Sequence, residues 1–322
     1  MKALVVGASG FVGDYLIDAI KEDMLCEVYA TKLPQHKAWR DDIDVLDLNI
    51  LDAQQVRDCL HQVEPDYIFY LAAQSSIAKS WADPPQTVQV NVQGSLNVLD
   101  GIRTLRNSPR VLIVGSGEEY GAIPPEAVPI REETLLNPQN IYAATKACQN
   151  MMASIYAAAY GLQLIMVRAF NHMGPGQLDI FVISDFCHQA ARIEAGLQEP
   201  VIRVGNLQAR RDFTDVRDVV RAYTRLIQFG RAGETYNVGS GHAITIRSAL
   251  DTIIQKSKKQ ISVFVDPKKL RPIDVPVIEA DISKLYAATG WQPRIPFEQT
   301  IEEMLDFWRK QCAEEKTECV HS

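Results

Sequence analysis

The sequence predicts an α/β protein with a doubly wound parallel sheet and a smaller, interleaved C-terminal α/β lobe. Three observations carry this. From residue 2 to about residue 170, apolar runs of strand length alternate with apolar residues at helical spacing, the pattern of strands joined by crossover helices. The first run breaks into a glycine-punctuated turn, Gly7-Ala-Ser9-Gly10-Phe11-Val12-Gly13, which opens directly into a helix. Beyond Gly174 the alternation loses its regularity, which marks a second body.

The elements follow in order. The spacing predicts strands over 2–6, 26–31, 44–47, 67–71, 110–114 and 163–167. Helices are predicted over 11–21, 52–61, 84–106 and 141–160 between them. Further on it predicts helices over 180–195, 216–229, 246–256 and 297–309, strands over 201–204 and 234–237, and a Pro-rich stretch over 267–276. There is no internal repeat and no low-complexity linker, so the lobes are expected to interleave. The first lobe spans 1–170 and is rejoined by about 205–240, and 171–322 supplies mainly the second. Ile141 to Tyr160 is rich in Ala and Met on nearly all sides, which suits burial on more than one face.

Composition narrows the function. At 322 residues with 47% hydrophobic content the chain can bury a substantial core. A net charge of −7 argues against nucleic acid or an anionic membrane as the main partner. The six cysteines, at 26, 59, 148, 187, 312 and 319, have no metal-like spacing, so no metal is expected and reduced thiols in the cytoplasm are the natural reading. Residue 2 already begins a strand and no apolar stretch reaches membrane-spanning length, so neither a signal peptide nor a membrane span is expected.

Two motifs carry chemistry. In the glycine turn, Gly7, Gly10 and Gly13 let the backbone approach a pyrophosphate whose charge then sits at a helix N-terminus. The spacing Gly-x-x-Gly-x-x-Gly differs from the usual Gly-x-Gly-x-x-Gly. The second motif combines Gly115-Ser116-Gly117-Glu118-Glu-Tyr120-Gly121 with Tyr142-Ala-Ala-Thr-Lys146. On a helix, Tyr142 and Lys146 lie one turn apart, so the ammonium favours the tyrosinate. Bringing a phenol from near 10 to neutrality takes roughly three pKa units, about 4 kcal/mol.

In this order and separation the motifs resemble the extended short-chain dehydrogenase/reductase family, the NAD-dependent epimerases and dehydratases, over nearly the whole chain. Leu71-Ala72-Ala73 after the fourth strand, Asn91-Val-Gln-Gly94, Arg168-Ala-Phe170-Asn171-His172-Met-Gly174-Pro-Gly176 and Arg211-Asp-Phe-Thr-Asp-Val-Arg-Asp218 match further family elements. The resemblance implies a Rossmann-type fold, with Ser116, Tyr142 and Lys146 as the catalytic set. It implies a dinucleotide against Gly7, Ser9, Gly10, Phe11, Val12, Gly13, Thr31, Lys32, Asn49, Ile50, Leu71, Ala72, Ala73, Tyr142, Lys146, Phe170 and His172. After the second strand, Thr31 and Lys32 replace the carboxylate that selects NAD, so NADP(H) is favoured and NAD(H) is admitted. Asn49 stands where the family usually has Asp near the adenine. The helices over 84–106 and 141–160 match the family's four-helix dimer interface and imply a homodimer.

The same resemblance implies a nucleotide-diphosphate sugar as substrate. The segments around Gly115, Phe170, Val204 to Val220 and Leu270-Arg271-Pro-Ile-Asp-Val-Pro276 are similar to reductases of GDP-linked 4-keto-6-deoxyhexoses, which turn GDP-4-keto-6-deoxy-D-mannose into GDP-D-rhamnose. Ser76, Ser116, Gly117, Glu118, Asn171, Arg211 and Arg271 would then face the substrate, the arginines matching phosphate oxygens with their planar fork. A GDP-mannose 4,6-dehydratase, an epimerase and a non-catalytic NADP sensor are the alternatives. Glu118 occupies the position of the dehydratase's added acid/base, so it does not by itself decide between reduction and dehydration. Gln74, where relatives often carry Lys, and Gly117, where they often carry Ser, depart from the pattern.

Overall fold

The computed structural model describes residues 1–270 and 275–321. Its main sheet has seven strands in the order β10-β6-β5-β4-β1-β2-β3, every neighbouring pair parallel. These are β1 (Lys2–Val6), β2 (Glu27–Lys32), β3 (Asp44–Asp47), β4 (Tyr67–Tyr70), β5 (Arg110–Ser116), β6 (Gln163–Ala169) and β10 (Thr235–Val238). The strands are apolar because both faces are covered. One face buries α1 (Phe11–Asp23) and α8 (Val216–Phe229), where Leu16, Ile17 and Ile20 meet Val220, Leu226 and Ile227. The other buries α2 (Ala53–Val63), α5 (Gly94–Ile102) and α6 (Ile141–Tyr160), with Val56, Leu60, Val98, Leu99 and Ala153 in one cluster. This is the doubly wound Rossmann-type sheet that the alternation predicts.

The strand order reverses between β1 and β4, and such a switch point leaves a crevice at the strands' C-terminal ends. Above it lies the second lobe. There β9 (Arg210–Asp215) pairs with β11 (Ala243–Thr245), β13 (Val277–Ile278) and β7 (Asn171–Met173), and β8 (Val201–Val204) pairs with β12 (Ser262–Val265). Ile183, Phe186 and Ala190 of α7 (Val182–Ala195) pack with Leu250 and Ile253 of α9 (Ile246–Lys256) and Met304 and Leu305 of α11 (Phe297–His321). Between the segments of this lobe the chain returns to the main sheet through α8 and β10, and α10 (Ser283–Thr289) adds Leu285 to the same core as α8.

The structure differs from the sequence reading in one long element. The helix expected over 84–106 is three pieces: α4 (Pro84–Val88), a π-helical turn Gln89–Gln93, and α5. It is preceded by α3 (Ile77–Ala82), which the reading omitted. Asp83 stops α3 and caps α4, accepting from Gln86 N at 3.1 Å, and Pro84 takes the first helical position. The π turn swings Asn91 inward. Its amide holds Gln74 N at 2.8 Å, Gln74 O at 3.0 Å and Thr145 Oγ1 at 3.0 Å, tying the end of β4 to α6.

Candidate active site

A continuous cleft of about 1680 Å³ runs along the C-terminal ends of the main sheet and up between the lobes. At one end the glycine turn shapes it. Gly7 has φ +83°, and a Cβ there would lie 2.5 Å from Ala72 Cα, so this turn at the switch point demands glycine. A Cβ on Gly13 would overlap the Ala8 carbonyl, so helix and turn pack backbone to backbone. At Gly10, by contrast, the nearest atom to a Cβ is 3.9 Å away, on the cleft side of the α1 N-terminus. Gly10 caps that helix without a side-chain hydrogen bond, so the first-turn amides of Phe11 and Val12 keep the donor character that suits a pyrophosphate. The donor set and the open space fit a dinucleotide.

At the outer end lie Thr31, Lys32, Asn49 and Ile50. Thr31 Oγ1 accepts from Gly7 N at 2.9 Å, locking the turn to β2. Lys32 is buried and ion-paired with Asp47, its strand neighbour on β3. That partner was not foreseen from the sequence. Asn49 Oδ1 accepts from Leu51 N and the Asn49 backbone N–H donates to Gln55 Oε1, each at 3.1 Å, while the buried Ile50 fills the space that makes Gly94 a glycine. Ser9, Leu71, Ala72 and Ala73 line the wall between the glycine turn and the deeper cleft.

Midway stand the hydroxyl, phenol and ammonium. Ser116 ends β5 and caps the following 3-10 turn, its Oγ accepting from Glu118 N at 3.2 Å. Asn140 caps α6 through Ala143 N at 2.8 Å, which puts Tyr142 and Lys146 on the inner face of the first turns. The Tyr142 phenol stands near the Ser116 hydroxyl and Glu118. All three residues are buried and line the cleft. Burial pushes the phenol up, the nearby Ser116 hydroxyl opposing, with Glu118 and Glu119 adding to the rise. The ammonium is turned to Val114 O at 2.7 Å and Gln149 Oε1 at 2.9 Å, and burial lowers it to about 8.

Glu118 is half-buried in the cleft wall, 3.5 Å from Asn140 Nδ2. Its neighbour Glu119, which the sequence reading left out, is fully buried. It accepts from Ser116 N at 2.8 Å, Asn150 Nδ2 at 3.0 Å and Arg168 Nε at 3.0 Å. Gly115 is glycine because a Cβ would run into the Glu119 carboxylate. A second acid directly before Tyr120, four residues after Gly115, was the available signal.

Toward the second lobe, Ser76, Gly117, Phe170, Asn171, His172 and Arg211 all line the cleft. Ser76 caps α3 through Lys79 N at 3.2 Å, and its own amide donates to Gln74 Oε1 at 2.6 Å. Gln74 also donates to Thr87 at 2.9 Å, so it braces this loop against α4. A Cβ on Gly117 would press within 3.1 Å of the Phe170 ring. His172 lies parallel to Phe11, centroids 6.3 Å apart, with Nδ1 3.2 Å from Phe170 O. Burial lowers it, which keeps the imidazole neutral and makes it a packing surface. Arg211 Nη1 donates to Val275 O at 2.7 Å and Arg210 O at 2.9 Å, anchoring a guanidinium that borders the cleft. Arg271 lies outside the described residues. Lys268, Lys269 and Asn206, not singled out in the sequence, line the same end. The Lys268-Lys269 pair inside the Pro-rich stretch was the signal for the two lysines. Among the described residues no His, Cys, Asp or Glu cluster suits a metal ion, and no helix is long and apolar enough to cross a membrane.

Comparison with known proteins agrees with this geometry. The family model for GDP-mannose 4,6 dehydratase matches residues 4–304. A GDP-6-deoxy-D-mannose reductase of Pseudomonas aeruginosa is 32% identical over 314 residues, covering 98% of this chain and 99% of the relative. GDP-mannose 4,6 dehydratase 1 of Arabidopsis thaliana is 31% identical over 265 residues, 80% of this chain and 72% of the relative. The solved structure of RMD from Pseudomonas aeruginosa complexed with NADPH superposes with a TM-score of 0.85 at 31% identity, over 96% of this chain and 99% of that one. With its sheet, glycine turn and Ser-Tyr-Lys set in place, this chain belongs to the GDP-mannose 4,6-dehydratase family of extended short-chain dehydrogenase/reductases.

Proposed function

We propose that this protein uses NADPH to reduce the 4-keto group of a GDP-linked 4-keto-6-deoxyhexose, converting GDP-4-keto-6-deoxy-D-mannose to GDP-D-rhamnose, with Tyr142 as proton donor. The observation that carries the reading is the convergence of the Ser116 hydroxyl, the Tyr142 phenol and the Lys146 ammonium on one cleft, with burial pushing the phenol up. A donor to a developing alkoxide must hold its proton until the carbonyl is reduced. A base that begins by oxidising a sugar alcohol must give it up beforehand. The full-length match to a reductase supports the same direction.

When bound, the reduced nicotinamide supplies the hydride. Ser116 and Tyr142 hold the ketone oxygen, and as the carbonyl electron pair moves onto that oxygen the phenol proton follows it. Lys146 spends two of its three hydrogens on Val114 and Gln149, and the remaining one serves a ribose hydroxyl. Gly10, Phe11 and Val12 take the pyrophosphate, and Lys32 takes the 2′-phosphate, with NAD(H) a weaker alternative. Arg211 and Asn171 face the sugar nucleotide.

One observation favours a second reading. Glu118 lines the cleft near Tyr142, where a 4,6-dehydratase needs an added acid/base to take the C5 proton and expel water. Incubation with NADPH and GDP-4-keto-6-deoxymannose, and separately with NADP⁺ and GDP-mannose, separates the two. Stoichiometric NADPH loss supports reduction, and redox-neutral conversion of GDP-mannose supports dehydration.

A homodimer through α4, α5 and α6 is part of the proposal, because Val88 on α4 and Met151 and Ile155 on α6 expose apolar side chains. The cytoplasm is the compartment it fits, since Cys26, Cys59, Cys148, Cys187 and Cys312 are free thiols.

A further inference from the structure

We propose that Asp47 sets how strongly this protein prefers a 2′-phosphorylated dinucleotide, by competing for the Lys32 ammonium. The two residues stand opposite each other at the C-terminal ends of β2 and β3, the last paired positions of those strands. Their side chains form an ion pair, Lys32 almost wholly buried and Asp47 more than half exposed. Lys32 lines the outer end of the cleft with Thr31, Gln35 and His36. It is the one lysine or arginine among the described residues at that end, the others, Lys146, Arg211, Lys268 and Lys269, lying deeper. The cleft wall resumes on β3's side at Leu48, so Asp47 sits just behind it.

The consequence is electrostatic. A phosphate on the adenosine 2′-oxygen must share the ammonium with a carboxylate of like charge a few ångströms away, whereas a 2′-hydroxyl meets no such opposition. Lys32 alone would favour the phosphorylated cofactor strongly. Its pairing with Asp47 discounts that preference and leaves the unphosphorylated cofactor usable. Selectivity here is therefore a balance between an attractive residue and a repulsive one, and the repulsive one lies outside the cleft lining, where inspection of the cofactor pocket alone overlooks it.

This rests on the reading that the adenosine end lies over β2. The test is calorimetric binding of ADP-ribose 2′-phosphate and of ADP-ribose to the wild type, Asp47→Asn, Asp47→Ser and Lys32→Met, at low and high salt. Both neutral variants at 47 are expected to bind the 2′-phosphate ligand about tenfold more tightly, with ADP-ribose unchanged and the gain shrinking as salt rises. Lys32→Met is expected to lose affinity for the 2′-phosphate ligand alone. Should Lys32→Met change the ratio of the two affinities while both variants at 47 leave it untouched, even with a lowered Tm, the pair merely ties the strand ends and the Asp47 inference fails. Should Lys32→Met also leave the ratio untouched, the placement of the 2′ position fails first.

Discussion

Arg168 donates through Nε to Glu119 Oε2 at 3.0 Å, and the same carboxylate fixes the backbone of Ser116. The pair is buried, the Arg168 guanidinium also reaching Tyr120 Oη at 2.9 Å and Glu132 O at 3.0 Å. Tyr120 in turn donates to Asn237 Oδ1 at 2.7 Å. One network thus joins β5, β6 and β10 beneath the turn that presents the serine hydroxyl. Removing Arg168 strands a buried carboxylate, so Arg168→Met should cost about 3–5 kcal/mol in urea unfolding. A loss under about 1 kcal/mol would show that the pair bears no weight.

Tyr142→Phe removes the proton donor and little else. Turnover should fall by about 10²–10⁴-fold, with dinucleotide affinity nearly intact in direct titration. Undiminished turnover would mean that the proton comes from elsewhere.

Lys146 gives a pH signature. Its folded pKa of about 8 lies below the ordinary value of 10.5, so the folded state disfavours the charge. Below about pH 8 the group is protonated in both states and the destabilisation is fully present. Between about 8 and 10.5 the unfolded chain binds more protons, and stability rises with pH. Relative to Lys146→Met, the ligand-free wild type should gain about 3 kcal/mol across that window. Parallel stability curves for the two proteins would contradict this.

The glycine turn separates folding from binding. Gly13→Ala should lower Tm sharply, because its Cβ would enter the Ala8 carbonyl. Gly10→Ala meets nothing nearer than 3.9 Å and has φ −89°, so it should fold normally and lose dinucleotide affinity by an order of magnitude or more. Equal effects of the two changes on Tm would remove the distinction.

Much of this was legible in the sequence because it is local. Asn140 and Gly161 bracket α6 at the boundaries read from the chain, and the apolar runs located all six of the first strands. What escaped is short or non-local. β9 is Arg210-Arg-Asp-Phe-Thr-Asp215 and reads as polar, yet five of its six residues are buried, and β7, β11 and β13 are too brief to show a period. The site residues appeared as motifs, but their partners did not. Lys32 meets Asp47 and Glu119 meets Arg168 only once strands lie side by side, and the rise of the Tyr142 pKa comes from burial that no spacing records.

The apolar side chains on α6 invite a charge. Met151→Glu with Ile155→Glu should convert a dimer to monomers in sedimentation velocity, with secondary structure unchanged. Unaltered assembly would place the interface elsewhere.

The most direct measurement follows NADPH absorbance while purified protein meets GDP-4-keto-6-deoxymannose. One NADPH should disappear for each GDP-deoxyhexose formed, and Tyr142→Phe should slow that loss by about 10²–10⁴-fold. No loss of NADPH with the keto sugar, with redox-neutral conversion of GDP-mannose when that sugar and NADP⁺ are supplied instead, would contradict the reductase assignment.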